Sequence, residues 1–148
     1  FSLDRISKSY VILLDEKNLS SDIFTSKYLN ISLTWNEGIA FGLFSLNEGF
    51  FYNFLTVLIA IIIIVILFMV LRNEGMKKYS LLMILGGALG NLYDRIFFKA
   101  VPDFIDFHIG NYHWFIFNVS DIFISLGVIF LIFFELIDNQ KNNGNEKI

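Results

Sequence analysis

Two carboxylic acids, Asp103 and Asp121, are the residues of this chain best suited by type and surroundings to chemistry. Two acids held close together share one proton, because like charges resist double ionisation. The ionised acid can then activate a water molecule, while the protonated acid polarises a carbonyl group and later protonates a leaving amine. Each acid also has a structural interpretation: Asp103 follows the only proline and suits a turn, and Asp121 precedes an apolar stretch and suits a helix cap.

Both acids belong to a set of polar clusters in an otherwise apolar chain. The clusters are Asp4 with Lys8, residues 36–42, residues 86–107 and residues 117–121. Taken singly, Asp4 and Lys8 would pair across one helical turn, and Gly86 and Gly90 would form a helix-packing face. Those interpretations do not explain why several acids, three asparagines and an arginine gather at one depth, where polar groups are expensive and usually functional.

The composition is that of a membrane protein. Of the 148 residues, 55% are hydrophobic, 18% aromatic and only 17% charged, whereas a soluble domain averages about 25% charged residues. This argues against a soluble enzyme and against disorder. The net charge of −3 and the absence of a basic run argue against nucleic acid as a partner, and the absence of cysteine excludes disulfides and thiolate chemistry.

Apolar stretches predict membrane spans at residues 54–71, 79–93 and 120–137. The first has about 18 residues, or about 27 Å of helix, which matches the hydrocarbon thickness. Its isoleucine run would suit a strand in water, but in lipid a helix satisfies its own backbone. Residues 1–14 are expected to end a fourth span, completed by an apolar stretch upstream of this sequence; a cleaved signal peptide is the alternative.

The segments between the spans carry the polar clusters. Basic residues between the spans 54–71 and 79–93 predict a cytoplasmic loop there, which places segments 15–50 and 94–118 outside. Alternation of apolar and polar residues over 29–36 predicts a strand. Gly110-Asn111 between apolar runs predicts a hairpin turn. A small sheet on the outer membrane surface is therefore expected, within a single domain over residues 1–148.

Other catalytic or cofactor patterns are not supported. The chain has no Gly-x-Ser-x-Gly and no His-Glu-x-x-His motif, and no glycine-rich loop follows a strand. His108 and His113 flank the hairpin turn without metal-ligand spacing along the chain, and their aromatic neighbours favour interfacial side chains. We therefore expect neither a metal nor an organic cofactor.

Taken together, the clusters resemble the signal peptidase II (lipoprotein signal peptidase) family of bacterial aspartyl proteases. The shared motifs cover nearly the whole chain in the family's order, which is far more specific than any single motif. They are Asp4 with Lys8, Asn36-x-Gly38-x-Ala40-Phe41-Gly42, Gly86-Gly87-Ala88-Leu89-Gly90-Asn91-x-x-Asp94-Arg95 continued by Val101-x-Asp103-Phe104, and Phe117-Asn118-x-x-Asp121.

The resemblance implies an α-helical membrane protein with four transmembrane helices, the first incomplete in this sequence, and a small extracytoplasmic β-rich cradle. It implies that Asp103 and Asp121 are the catalytic dyad. It further implies two groups of supporting residues: Asn36, Asn91, Arg95 and Asn118 around the acids, and Gly38, Ala40 and Phe41 in the loop lining the site.

The resemblance also implies the reaction: removal of the signal peptide from diacylglyceryl-modified prolipoproteins, by cleavage just before the lipidated cysteine. The enzyme would lie in the bacterial inner membrane with its site toward the outer face. Membrane lipids and inhibitors of the globomycin type would be its other partners. Ile39, residues 98–100, Pro102 and Ser120 depart from the usual family pattern and bear on loop shape and substrate preference.

A small proton-relaying transporter and a non-catalytic membrane scaffold are the alternative functions. A transporter would need an essential acid deep within a span. Here the acids cluster at the predicted outer edge, and Glu135 lies near the opposite end of its span. A scaffold would tolerate replacement of Asp103 or Asp121.

Overall fold

Helices and one antiparallel sheet make up the part of the chain that the computed structural model describes, residues 1–17, 22–38 and 48–145. The elements in chain order are α1 (Ser2–Lys17), β1 (Asp22–Thr25), β2 (Leu29–Asn36), α2 (Glu48–Arg72), α3 (Gly75–Phe98), β3 (Val101–Ile109), β4 (Tyr112–Phe117) and α4 (Val119–Asn145).

Three of the helices are long and apolar enough to cross a membrane. They are Gly49–Arg72, Gly75–Phe98 and Val119–Asp138, and they contain the three predicted spans. On α2, Phe54, Ile61 and Phe68 are 59%, 53% and 59% exposed, an outer surface that suits lipid rather than water. Within the described residues, α1 has 16 residues and is not among these candidates, so a fourth span ending in α1 stays a prediction.

The sheet has the strand order β1-β2-β3-β4, with antiparallel neighbours throughout. β2 coincides with the predicted strand over residues 29–36, which confirms it. The predicted hairpin is also confirmed: Ile109 pairs with Tyr112, and Gly110 adopts a φ of 60°, which glycine accommodates without strain.

The position of Asp103 corrects one interpretation drawn from the sequence. β3 already begins at Val101, so Asp103 lies inside a strand, paired with Thr34 of β2, and not in a turn. Pro102 does not prevent this, because the pairing of β3 with β4 starts only at Ile105. A proline is tolerated where a strand has a neighbour on one side only.

The junction of α3 and β3 is tight. α3 ends at Phe98, and Lys99 takes a left-handed conformation with φ 56° and ψ 16°, which reverses the chain before β3 starts at Val101. The sheet is therefore attached directly to the end of α3. β4 leads just as directly into α4, since only Asn118 separates them. Asp103 lies near the start of this hairpin, on β3, and Asp121 lies just after its end, in the first turn of α4.

The lack of a side chain at Gly90 allows α1, α3 and α4 to pack closely where the sheet joins the helices. A Cβ atom at Gly90 would lie 2.6 Å from Oδ2 of Asp4 and would overlap Oγ of Ser120. Gly86 is also close to the N-terminal segment, since its Cβ would lie 3.3 Å from the backbone nitrogen of Phe1. The packing role expected of these two glycines is therefore supported, and the close approach brings buried charges of α1 next to the start of α4.

Candidate active site

Asn118 joins the two acids. Its side-chain amide donates to Oδ1 of Asp103 at 2.6 Å, and its backbone N–H donates to Oδ2 of Asp121 at 3.1 Å. Asn118 is fully buried and Asp103 is 3% exposed. The structure thus brings together the two acids that the sequence singled out, on either side of one asparagine.

The same asparagine begins α4. Its Oδ1 accepts the backbone N–H of Asp121 at 3.2 Å, while the carboxylate of Asp121 accepts the backbone N–H of Asn118. This is a reciprocal capping box, which satisfies donors that would otherwise be unpaired at a helix start. Asp121 can therefore be both a helix cap and a catalytic group, because the cap uses only Oδ2 of its carboxylate.

Asn36, the last residue of β2, contacts the other oxygen of Asp103. Its Nδ2 donates to Oδ2 of Asp103 at 2.9 Å, and its Oδ1 accepts the backbone N–H of Gly38 at 2.8 Å. Gly38 has a φ of 78°, and a Cβ there would lie 2.9 Å from Cδ2 of Leu55. The positive φ favours glycine, and a side chain there would also displace Leu55, so the turn after β2 holds the amide of Asn36 toward Asp103.

Asn91, on α3, supports Asp121. Its Nδ2 donates to Oδ1 of Asp121 at 2.8 Å, and its Oδ1 accepts a hydrogen bond from Nζ of Lys8 at 2.9 Å. The side chain of Lys8 is 1% exposed. The ammonium group therefore fixes which end of the Asn91 amide faces the acid.

The three asparagines follow one rule. In each, the amide oxygen accepts from another group, so the amide nitrogen is left to donate to an acid. Together with the backbone of Asn118, they provide a hydrogen bond to each of the four carboxylate oxygens of Asp103 and Asp121. Side chains held this way are preorganised, and the acids cannot turn away from each other without losing these bonds.

Four buried or partly buried charges lie behind the asparagines. Nζ of Lys8 lies 3.0 Å from Oδ1 of Asp4 and 2.7 Å from Oδ2 of Asp94, and Nη1 of Arg5 lies 2.6 Å from Oδ1 of Asp94. Asp4 also accepts the backbone N–H of Ser120 at 3.0 Å. Two acids and two bases make the group neutral, as buried charges require.

Arg5 is a site residue that the sequence motifs do not contain. The motif residues Asp4, Lys8 and Asp94 have charges that sum to −1. This imbalance is a signal for a second base, because isolated charges at membrane depth are costly. Arg5 was the nearest unassigned base, directly after Asp4.

The environment of Asp103 changes its acidity. Burial raises the pKa of Asp103 above its ordinary value of 3.8, and the negative charge of Asp121 raises it further. The amide donors of Asn36 and Asn118, and the charge of Lys8, act in the opposite direction without reversing it. Asp103 therefore holds a proton more readily than an exposed aspartic acid does.

The remaining predicted site residues are less directly placed. Arg95 is half-buried, and Nη1 donates to the backbone oxygen of Asn91 at 3.3 Å; among the described residues it bonds to neither acid. Its Nη2 would lie 3.9 Å from a Cβ at Gly38, so it faces that residue, just after β2. Ala40 and Phe41 lie outside the described residues.

Comparisons with known proteins show the family of the chain. The family described as signal peptidase (SPase) II matches residues 1–137. The chain is 52% identical over 147 residues to a lipoprotein signal peptidase of Pelagibacter ubique strain HTCC1062, covering 99% of this chain and 88% of that protein. It is 44% identical to one of Anaplasma phagocytophilum strain HZ, covering 97% and 90%.

The fold is also similar to a solved protein, a bacterial membrane enzyme determined by the in meso method at 2.3 Å resolution. The TM-score is 0.69 at 29% identity, over 94% of this chain and 84% of that one. The match thus extends over both the membrane helices and the sheet. With the family match over residues 1–137 and the two relatives, it leads to one conclusion. The chain belongs to the signal peptidase II family.

Proposed function

We propose that this chain is an aspartic endopeptidase that removes the signal peptide from prolipoproteins, with Asp103 and Asp121 as its catalytic pair. The observation that carries the proposal is the pair of acids bridged by Asn118, with all four carboxylate oxygens held by hydrogen bonds. Family membership supplies the reaction class, since the relatives are named lipoprotein signal peptidases.

The two acids divide the work of hydrolysis. Asp103, with its raised pKa, holds the shared proton, and Asp121 acts as the base. Asp121 takes a proton from a water molecule, whose oxygen attacks the scissile carbonyl carbon, while Asp103 gives its proton to the carbonyl oxygen. The intermediate then collapses: the C–N bond breaks, Asp103 recovers its proton, and Asp121 passes its proton to the leaving amine.

The position of the pair suits a lipidated substrate. The acids lie where α3 and α4 meet the sheet, at one end of the apolar helices. A diacylglyceryl-modified cysteine can keep its acyl chains among membrane lipids, beside exposed apolar side chains such as those of α2, while the peptide reaches the acids. Cleavage just before that cysteine releases the signal peptide. Globomycin-type cyclic peptides are expected to compete for the same place.

The enzyme is proposed to lie in the bacterial inner membrane with the acids toward the outer face. Lys77 marks the other end of the helices, where its ammonium group lies 2.7 Å from Glu135 and 2.8 Å from Asp138. Arg72, Lys77 and Lys78 fall within seven residues at the short connection between α2 and α3, and such basic residues in a short loop favour the cytoplasm.

The test is cleavage of a lipidated prolipoprotein by the purified protein in detergent, followed as a mobility shift on a gel. Asp103→Asn and Asp121→Asn should each lower the rate at least about 100-fold, because an amide can neither take nor give the proton. Asp22→Asn, which alters an exposed acid of the same sheet, should keep its activity.

Two results would contradict the proposal. Turnover retained by either folded dyad variant would remove that acid from the mechanism. Equal cleavage of the precursor without its lipid would exclude the diacylglyceryl group as part of what the enzyme recognises.

A further inference from the structure

A second polar cluster lies on the β3–β4 hairpin, away from the hydrogen bonds of the acid pair. It consists of Asp106, His108 and His113, whose potential ligand atoms all lie within 4.8 Å of one another. The hairpin explains the convergence, because its pairing places His108 opposite His113 with their rings stacked at 5.1 Å. These are the only two histidines in the chain.

The cluster contains buried polar atoms that lack partners. Asp106 is 4% exposed, and its Oδ1 accepts no hydrogen bond from the described residues; the Nδ1 atom of His108 is likewise buried and unpaired there. Such atoms are costly, since they have lost water and gained nothing in return. The other oxygen, Oδ2, lies 2.7 Å from Nδ1 of His113. Nδ2 of Asn30 lies 3.5 Å from the same oxygen, and these contacts leave Oδ1 of Asp106 and Nδ1 of His108 unsatisfied.

We propose that Asp106, His108 and His113 form a binding site for a divalent transition metal ion, with zinc the best match. Two imidazoles and one carboxylate are ligands that Zn²⁺ takes readily, whereas Ca²⁺ and Mg²⁺ require oxygen ligands throughout. Zinc bonds of about 2.0–2.2 Å bring ligand atoms to roughly 3.3–3.5 Å from one another in a tetrahedron. The ligand atoms lie up to 4.8 Å apart and the two rings are stacked, so rotation of the imidazole side chains would bring the three atoms to that spacing.

The three residues differ in exposure, so the site is buried on the Asp106 side and open to solvent on the His113 side. Asp106 is buried, His108 is half-buried, and the side chain of His113 is 52% exposed. An ion can enter from the His113 side and keep a water molecule as its fourth ligand. Asn30, whose Nδ2 lies 3.5 Å from Oδ2 of Asp106, would orient the carboxylate from behind.

The site would act on the structure and not on the reaction. β3 carries Asp103 near its start, and β4 ends next to Asn118. An ion that ties β3 to β4 would stiffen the hairpin connecting the two acids. Binding to the folded protein would therefore raise its thermal stability by mass action. The inference does not depend on the proposed function, because none of its three ligands contacts the acid pair.

The test uses the full chain, purified in detergent without a histidine tag and treated with a chelator. Titration with Zn²⁺ should show one ion bound per chain, with Tm rising as the site fills. Co²⁺ should give the visible absorption of a four-coordinate nitrogen and oxygen site. His108→Gln, His113→Gln and Asp106→Asn should each weaken Zn²⁺ binding at least tenfold, and Asp22→Asn should leave it unchanged.

His113→Gln is the decisive variant, because its half-exposed side chain can be replaced with the fold retained, and glutamine still offers an amide donor to Oδ2 of Asp106. Loss of the Zn²⁺-dependent rise in Tm in this variant, measured against its own Tm in chelator, is the expected result. Absence of saturable binding by the unaltered chain, or binding that survives both histidine variants, would overturn the proposal. The chain has no cysteine and no further histidine to substitute for these ligands.

Discussion

Asn118 and Asp121 cap each other: the backbone N–H of each donates to a side-chain oxygen of the other, at 3.1 and 3.2 Å. The first turn of α4 and the position of one acid are therefore set by the same two hydrogen bonds. The amide nitrogen of Asn118 is left free of the cap and donates to Asp103 instead. One residue thus has a structural role and a site role that use different atoms.

Substitutions at Asn118 should separate these two roles. Asn118→Ala removes the cap, which costs about 1 kcal/mol, and also the donor to Asp103. Asn118→Ser keeps a capping oxygen but lacks the amide donor. We expect the serine variant to have a higher Tm than the alanine variant. Both should lose about tenfold in cleavage rate, the equivalent of one hydrogen bond worth about 1.4 kcal/mol.

Thermal unfolding and initial cleavage rates, measured on the same preparations, check this prediction. If the serine variant recovers activity together with stability, the amide of Asn118 serves only as a helix cap.

Stability should depend on pH through Asp103. Because burial raises the pKa of Asp103, folding favours the protonated acid. That contribution to the free energy of unfolding is complete below the ordinary pKa of 3.8, and it is lost as the pH rises through the folded-state pKa. Asparagine cannot ionise. The Tm of Asp103→Asn relative to the unaltered chain should therefore increase as the pH rises above 3.8.

The trend with pH is the informative quantity here, since any constant effect of the substitution cancels. Thermal unfolding in detergent at several pH values measures it. If the Tm of Asp103→Asn relative to the unaltered chain stays constant or falls as the pH rises, ionisation of Asp103 does not destabilise the folded protein.

Much of the fold could be predicted from the sequence because the signals are local. The span over 54–71 follows from length and hydropathy, the strand over 29–36 from its period of two, and the hairpin from Gly110-Asn111. The start of β3 could not be predicted, since Asp103 reads as a turn residue after proline until β2 is known to lie beside it. Pairing with a distant strand decided the structure there.

The candidate site, like the fold, could be predicted only in part from the sequence. The residues Asn36, Asn91 and Asn118 were identified by type and position, but their common orientation depends on Gly38, Lys8 and the start of α4. No single segment contains those relationships. Likewise, the spacing of His108 and His113 along the chain suggested no site, whereas counting outward from the hairpin turn would have placed them opposite each other.

The buried charges should depend on one another. Lys8→Met leaves Asp4 and Asp94 with Arg5 alone, and unbalancing a buried ion network costs about 3–5 kcal/mol. Adding Asp94→Asn restores neutrality, so the double variant should recover part of the lost Tm. It should not recover cleavage, because Asn91 still lacks the ammonium group that orients it. A double variant less stable than Lys8→Met would contradict this account.

The proposed orientation can be tested with single cysteines, since the chain has none. Glu74→Cys lies between α2 and α3, and Asn111→Cys lies in the turn between β3 and β4; both positions are exposed. In intact cells a membrane-impermeant thiol reagent should label position 111 and not position 74. Labelling after permeabilisation serves as the control for reactivity. The reverse pattern would place the acids on the cytoplasmic side.

Arg95 should act through the shape of its guanidinium group and not through its charge alone. Its Nη1 donates to the backbone oxygen of Asn91, and its Nη2 faces Gly38, while Nε has no partner among the described residues. A planar fork of donors can hold loop or peptide carbonyl groups in a way that an ammonium group cannot. Arg95→Lys should therefore lower the cleavage rate at least about tenfold while the Tm is retained, since only this planar donor geometry is removed. Arg72→Lys, the same change at the opposite end of the helices, should leave both quantities unchanged.

If Arg95 only anchors α3 at the lipid headgroups, lysine should serve equally well, because both side chains reach the interface in the same way. Near-normal activity of Arg95→Lys would then remove Arg95 from the site, and activity lost together with Tm would make its role structural.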